Sequence, residues 1–377
     1  MSIKNFGYFD DLNKNYLGIL NSIKRVLSSG NLILGPEVNK FEKKFSKFIG
    51  SKYGIGVGNC TDAIYIALKA FNIKQGDEVL TVANTAIPTI TAIVNTGAVP
   101  KFVDVNENYL IDSRKIVQAI NKRTKAIIPV HLYGKTCDMN EIMKIAKKYK
   151  LKIIEDCAQS TGSSYNKKKS GNFGDIGCFS FYPTKILGGY GDGGFILTNS
   201  FKFYSNIKKI RFYGIDTVDK KNKFYNKYYS NLNGVNSRLD EINSKILDFK
   251  LTEIENFISK RRLIAKIYNN ELKDTKLILP IINKDKFDVF HLYTVCHKKR
   301  DLIMKKLLKE KIQTRIIYPF PIHKMKGYSS IFKKNKYKIS EIKSRSIFSL
   351  PLYPELNIKN VKIICKKLKK ILVSIDS

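Results

Sequence analysis

Lys185 closes the run Phe179-Ser180-Phe181-Tyr182-Pro183-Thr184-Lys185 and precedes a glycine-dense stretch from Gly188 to Gly194. An amine attacks a carbonyl only when neutral, and a lysine at its ordinary pKa of about 10.4 is almost wholly charged at neutral pH. Desolvation or a nearby cation lowers that value and opens the way to Schiff-base chemistry. The setting suits such a group. The apolar run Ile176 to Phe181 reads as a buried strand, Pro183 ends it, and the glycines let a ligand lie close to backbone. In a chain with 68 Lys and Arg, the competing reading is a solvated strand-end lysine.

Glu155 and Asp156 end a second apolar run. Adjacent strand residues point to opposite faces, so one carboxylate faces a ligand while the other packs or caps. A carboxylate aimed at a ligand can keep a pyridine nitrogen protonated, as an electron-sink cofactor requires; capping the next turn is the alternative. Gly58-Asn59-Cys60-Thr61-Asp62 joins a strand to a helix. The free amides and dipole of a helix start suit a phosphate, although an ordinary Asn, Thr or Asp cap explains the same residues.

These groups need a frame, and the segment from about 50 to 200 supplies one. Strand-like runs at Tyr53 to Val57, Glu78 to Val82, Lys101 to Val105, Ala126 to Val130 and Leu151 to Ile154 alternate with helical periodicity. The helices fall at Thr61 to Ala70, Ile87 to Asn95, Ser113 to Ile120 and Met139 to Tyr149. That rhythm predicts a mainly parallel α/β sheet, with ligands beyond the carboxyl ends of its strands. Past Val235 the pattern changes to one long helix, Asn236 to Leu272. A strand at Val289 to Val295, a helix at Asp301 to Glu310, a Pro-rich loop at Tyr318 to His323 and a helix from Lys359 follow. Two domains result, residues 1–250 and 251–377.

At 377 residues and 43% hydrophobic, the chain can build full cores. No apolar run approaches the roughly 20 residues of a membrane span, and no signal-peptide h-region opens the sequence. The six cysteines form no Cys-x-x-Cys pair, which fits a reduced, cytoplasmic protein. The net charge of +36 invites a nucleic-acid reading. The lysines are scattered through every segment without a recognisable nucleic-acid module, so a solvated basic surface is favoured. The four histidines lack metal-ligand spacing, and no metal is expected. His131 and His291 read as core residues; His323, in the Pro-rich loop, is the better site candidate.

Taken in order, these segments resemble the DegT/DnrJ/EryC1/StrS sugar aminotransferases. The resemblance rests on Ile33-Leu-Gly-Pro-Glu37, Asn59-Cys-Thr-Asp62, Pro129-Val-His131-Leu-Tyr133-Gly134, Glu155-Asp156-Cys-Ala-Gln159, Phe179 to Lys185, Asn236-Ser-Arg238-Leu-Asp240-Glu241, His291-Leu-Tyr293 and Pro321-Ile-His323. It covers almost the whole chain. It implies a fold-type I, aspartate aminotransferase-like transferase dependent on pyridoxal phosphate, with a large sheet domain and a smaller C-terminal α/β domain. Lys185 would carry the cofactor and shuttle protons, Asp156 would pair with the pyridinium nitrogen, and Gln159 would bond the ring hydroxyl. Ser180 and the amides of Cys60 and Thr61 would hold the phosphate. Asn236 would reach the phosphate of a second subunit, which implies a homodimer with shared sites. Tyr182, Arg238, Tyr318 and His323 would line the substrate. L-glutamate would donate the amine to a nucleotide-linked keto-sugar. The Phe-Tyr-Pro-x-Lys and Gly-Asp-Gly-Gly pattern looks more like members acting on dTDP-linked 3-keto-6-deoxyhexoses; 4-keto enzymes on UDP or GDP carriers, or a silent cofactor-binding relative, are the alternatives. Cys60 replaces a glycine usual in the family, Ala86 an aromatic that stacks on the ring, and Ile317 a histidine.

Overall fold

The computed structural model describes residues 2–216, 228–332 and 336–376. In chain order α1 (Tyr8–Ser29), α2 (Pro36–Ile49), β1 (Tyr53–Val57), α3 (Cys60–Ala70), β2 (Glu78–Val82), α4 (Ile87–Val94), β3 (Val99–Val103), α5 (Ser113–Ala119), β4 (Thr124–Ile127), α6 (Met139–Tyr149) and β5 (Lys152–Asp156) realise the alternating pattern. A hairpin of β6 (Ser164–Tyr165) and β7 (Lys168–Lys169) follows, then β8 (Ile176–Ser180), β9 (Gly194–Thr198) and α7 (Phe201–Ile210). The main sheet runs β1-β9-β8-β5-β4-β2-β3. Its neighbours are parallel except β9, which is antiparallel to both β1 and β8. The carboxyl ends of β1, β5 and β8 and the start of β9 therefore share one edge, which is where ligands sit in such sheets.

Aromatic packing fixes β8 on this edge. Phe41 and Phe45, one turn apart on α2, are wholly buried against Phe179, Phe181 and Phe195. Phe45 meets Phe179 and Phe195 edge-on at centroid distances of 5.2 and 4.9 Å, a geometry worth about 0.5–1.5 kcal/mol per pair beyond the area buried. The start of α2 is tied down from a distance: Glu241 accepts the amides of Gly35, Glu37 and Val38 at 2.8–2.9 Å. Those amides have no acceptor within their own helix.

The expected single helix from Asn236 to Leu272 is two helices, α8 (Glu241–Leu251) and α9 (Ile254–Leu272). Residues 236–240 are extended instead, with Asn236 bridged to Phe212. Asp240 ends that stretch by capping α8, its carboxylate accepting the Asn243 amide at 2.7 Å. Glu253 (φ −100°, ψ 1°) breaks the chain between the two helices. The chain continues through β10 (Lys286–Phe287), β11 (Tyr293–Cys296), α10 (Arg300–Lys309), α11 (Lys338–Ser346), β12 (Ile347–Leu350) and α12 (Ile358–Asp376). The expected strand from Val289 starts only at Tyr293, because Phe290 sits at φ 49° and the Val289 amide turns aside to Gly134. β11 and β12 pair antiparallel and pack with α9, α10 and α12 around Tyr268, Tyr293, Phe348 and Leu368. Because this cluster is separate from those around the main sheet, we propose a unit boundary near residue 250, at the last turn of α8.

The first residues join the two parts. Ile3 bridges to Ile312, Asn5 Nδ2 donates to the Ser349 carbonyl at 3.2 Å, and Asp11 accepts from Lys250 of α8 at 2.7 Å. No helix among the described residues is long and apolar enough to cross a membrane, and all six cysteines are buried and free.

Candidate active site

The two adjacent carboxylates at the end of β5 part company as the alternation of a strand demands. Glu155 turns into the interior. It accepts the amides of Gly171, Phe173 and Gly174 at 2.6–2.8 Å and meets His131 Nε2 at 2.9 Å. His131 Nδ1 accepts the Cys137 amide at 3.0 Å, so Nε2 carries the proton that Glu155 receives. His131, Glu155 and Cys157 bring potential metal-ligand atoms within 4.8 Å of one another, but both ring nitrogens and the carboxylate are already engaged in these bonds. Glu155→Gln keeps the shape and removes the charge that four donors share; we expect a loss of about 2–4 kcal/mol in stability, read from urea unfolding.

Asp156 points the other way. Thr89 donates to its Oδ2 at 2.8 Å, with Thr85 behind at 3.1 Å, and the Ala158 amide donates to Oδ1 at 3.1 Å. Burial raises its pKa, while these bonds and the Lys185 charge act against the rise. A carboxylate so desolvated is poised to pair with a cationic ring nitrogen.

At the adjoining strand ends, Asn59 caps α3 by accepting the Asp62 amide at 2.8 Å. The amides of Cys60 and Thr61, the first two of the helix, have no acceptor among the described residues. Both open onto the sheet edge where Ser180 ends β8. Gly194 at the start of β9 comes so close that an added Cβ would lie 2.3 Å from the Asn59 carbonyl carbon; only glycine allows this approach. Cys60 sits at ordinary helical angles, outside the left-handed set, which is why a side chain is tolerated there. Its thiol is buried and its pKa raised, by burial and then by Asp156.

Lys185 is part-buried, on a turn whose amide bonds back to the Tyr182 carbonyl at 2.9 Å. Its ammonium makes no hydrogen bond or ion pair among the described residues. Burial lowers its pKa, with Cys60 and Asp156 opposing. That is the direction a nucleophilic amine needs. The turn is clamped from α8: Lys250 Nζ donates to the Gly188 carbonyl at 2.7 Å, and a Cβ on Gly189 would strike Asn243 at 2.2 Å.

The structure brings most of the expected residues together. Gln159 accepts the Tyr133 amide at 2.9 Å and donates to the Tyr318 hydroxyl at 3.0 Å. The Tyr318 hydroxyl has its pKa raised by burial and then by Asp156, which places it in the same field. Tyr182 is half exposed beside the Lys185 turn. Three residues stand elsewhere. Asn236 is exposed, and Arg238 on the same stretch stacks on Phe212 at 5.5 Å. His323 is buried, bonded to Glu341 at 2.9 Å and edge-on to Tyr337. Thr89 was not foreseen as the partner of Asp156, because a threonine in the first turn of a helix looks like any other. His291 read as a core residue and is buried, but it also lies in the field of Lys185. Burial, then Lys185 and Arg261, hold its imidazole neutral.

An amine whose pKa burial lowers, a carboxylate that welcomes a cationic nitrogen and two helix amides left open for an anion meet three separate demands of pyridoxal phosphate. The donor set fits that cofactor, and the sheet that carries it has the fold-type I architecture. A family model described as the DegT/DnrJ/EryC1/StrS aminotransferase family matches residues 17–369. The chain is similar to the dTDP-3-amino-3,6-dideoxy-alpha-D-galactopyranose transaminase of Aneurinibacillus thermoaerophilus, 42% identical over 91% of this chain and 92% of that one. It is also similar to the UDP-2-acetamido-2-deoxy-3-oxo-D-glucuronate aminotransferase of Pseudomonas aeruginosa, 38% identical over 92% and 94%. Among solved structures, ntda from Bacillus subtilis with bound cofactor PMP superposes with a TM-score of 0.90 at 31% identity, covering 99% of this chain and 86% of that one. The chain belongs to the DegT/DnrJ/EryC1/StrS aminotransferase family. It is an aminotransferase, and its cofactor is pyridoxal phosphate.

Proposed function

We propose that the enzyme transfers the amino group of L-glutamate to a dTDP-linked 3-keto-6-deoxyhexose, giving a dTDP-3-amino-3,6-dideoxyhexose for surface-polysaccharide or glycoside biosynthesis in the cytoplasm. The observation that carries this reading is the 42% identity, over nine-tenths of both chains, to a transaminase named for such a sugar. Bound pyridoxal phosphate supplies an electron sink that stabilises negative charge on the carbon next to nitrogen. Lys185 holds the cofactor and moves the proton between carbons. Asp156 keeps the ring nitrogen protonated, with Thr89 fixing its carboxylate. Gln159, itself held by Tyr133, orients the ring through its hydroxyl. The Cys60 and Thr61 amides and the Ser180 hydroxyl take the phosphate. Tyr182 and Tyr318 flank the sugar.

Asn236 and Arg238 serve a second subunit in this reading, and His323 positions the Pro-rich loop through Glu341. Two features support a homodimer. Asn236 is exposed although its stretch is anchored by Leu239, and α1 shows solvent the apolar side chains Phe9, Tyr16, Leu17, Leu20 and Leu27, a stripe of the kind that marks an interface.

The 38% identity to a UDP-3-oxo-hexuronate aminotransferase favours a second reading, with a UDP carrier. A panel of dTDP-, UDP- and GDP-linked 3-keto and 4-keto sugars with L-glutamate separates the two. The expected result is the highest kcat/KM on the dTDP-linked 3-keto sugar. A UDP-linked sugar preferred tenfold or more would overturn the first reading in favour of the second.

A further inference from the structure

The turn that leaves the sheet beside Asp156 orients two hydrogen-bond donors that the protein itself does not satisfy. The Asp156 amide donates to the Pro129 carbonyl at 3.0 Å and the His131 amide to the Asp156 carbonyl at 2.9 Å, so the turn starts from a fixed point. Tyr133 within it is 2% exposed and sits at φ 60°, ψ 17°, a left-handed backbone that is costly for a residue with a Cβ. Gly134 follows at φ 92°, packed so closely that a Cβ there would lie 2.6 Å from the backbone nitrogens of Phe290 and His291.

Held this way, Tyr133 works at both of its ends. Its amide donates to Gln159 Oε1 at 2.9 Å, and its hydroxyl donates to the Ile317 carbonyl at 2.5 Å. With Oε1 taken as the acceptor, Gln159 Nε2 carries two N–H groups. One reaches the Tyr318 hydroxyl at 3.0 Å, and the other finds no acceptor among the described residues. The Tyr318 oxygen accepts in that bond, and no described residue takes the proton it carries. Burial and then Asp156 raise the pKa of this hydroxyl, so it stays a donor through the neutral range.

A desolvated donor without an acceptor is unfavourable. Two donor atoms 3.0 Å apart can be met by one oxygen lying between them. We infer that Tyr318, together with Gln159, donates to the ring oxygen of pyridoxal phosphate, and that Tyr133 positions both. The inference rests on the placing of Gln159 at that oxygen and adds a second donor, with a consequence for Lys185. Hydrogen bonds to an anionic oxygen favour its charged form. At the ring oxygen they weaken its hold on the proton shared with the nitrogen that joins the cofactor to Lys185, which therefore loses its proton at lower pH. The other titratable groups in the field of Lys185 are Cys60, Asp156 and His291, and Tyr133 faces Tyr318. None of these changes when Tyr318 alone is replaced.

The test is a pH titration of the visible absorbance of cofactor-loaded enzyme with neither substrate present. In Tyr318→Phe, checked for an unchanged thermal midpoint, the pH midpoint of the band should rise by about one pH unit. Gln159→Leu should raise it as well, and Tyr133→Phe, which releases the Ile317 carbonyl, should raise it by less. A midpoint that moves in Gln159→Leu but not in Tyr318→Phe overturns the inference and leaves the role of Gln159 standing; a midpoint that moves in neither overturns both. A hydroxyl that served only the sugar would give the first of these patterns. Should Tyr318→Phe not fold, Tyr133→Phe decides, and an unchanged midpoint there overturns the inference. Failure of the sugar panel leaves this readout intact, since no sugar enters it.

Discussion

Lys185→Ala protein is expected to lose at least about 10⁴-fold in kcat and to show none of the visible-range absorbance that pyridoxal phosphate acquires on wild type. Two functions disappear together, the covalent hold on the cofactor and the base that moves the proton. The phosphate contacts proposed for Cys60, Thr61 and Ser180 would survive, so cofactor should still bind, now reversibly and removable by dialysis. The amine itself can be followed without turnover. A lowered lysine pKa means a larger neutral fraction at pH 7–8, so in cofactor-free wild type Lys185 should react with an acylating reagent at lower pH than the surface lysines. Identical titration midpoints for Lys185 and those lysines would contradict the desolvation argument. Cys60 and Asp156 act against this shift without reversing it.

The second large effect belongs to Asp156. Asp156→Asn should keep the cofactor and its covalent link but lose about 10²–10³-fold in kcat, the scale seen when one preorganised electrostatic contact is removed from a reacting centre. The carboxylate is held by the Thr89 hydroxyl on Oδ2 and the Ala158 amide on Oδ1; an asparagine keeps its oxygen on the amide and turns its Nδ2 to the Thr89 hydroxyl, which rotates to accept. What it cannot retain is the negative charge that holds a proton on the ring nitrogen. The loss should therefore fall on kcat, with little change in the KM of either substrate. Unchanged turnover would refute the role assigned to Asp156.

Much of this site was legible because it lies where short local rules apply. The strand from Glu78 to Val82 and the helix from Met139 to Tyr149 have the expected limits, since apolar periodicity and breakers mark both ends. The alternation of a strand told Glu155 and Asp156 apart in principle, and the burial of β5 assigned which carboxylate faces inward. Order within the sheet was less legible. β9 is a buried five-residue run after a glycine loop, and nothing in its composition says that it reverses direction between β1 and β8. The extended stretch at 236–240 read as helix because no proline or glycine interrupts it; a capping carboxylate at Asp240 and pairing with Phe212 decide it instead. His291 was beyond local rules altogether, because its closeness to Lys185 and Arg261 is set by residues far away in the chain.

The anchoring of the first eleven residues bears on how the enzyme comes into being. Ile3 and Asn5 find their partners at Ile312 and Ser349, more than 300 positions downstream, and Tyr8 and Asp11 wall the cleft beside Lys185. Chains emerge from the ribosome amino end first, and domains tend to fold in that order. The main sheet can therefore form while this leading segment still has nowhere to dock. A nascent chain would pass through a stage with its main sheet assembled and the cleft beside Lys185 open on one side, and the leading segment would dock only once Ile312 and Ser349 had been made.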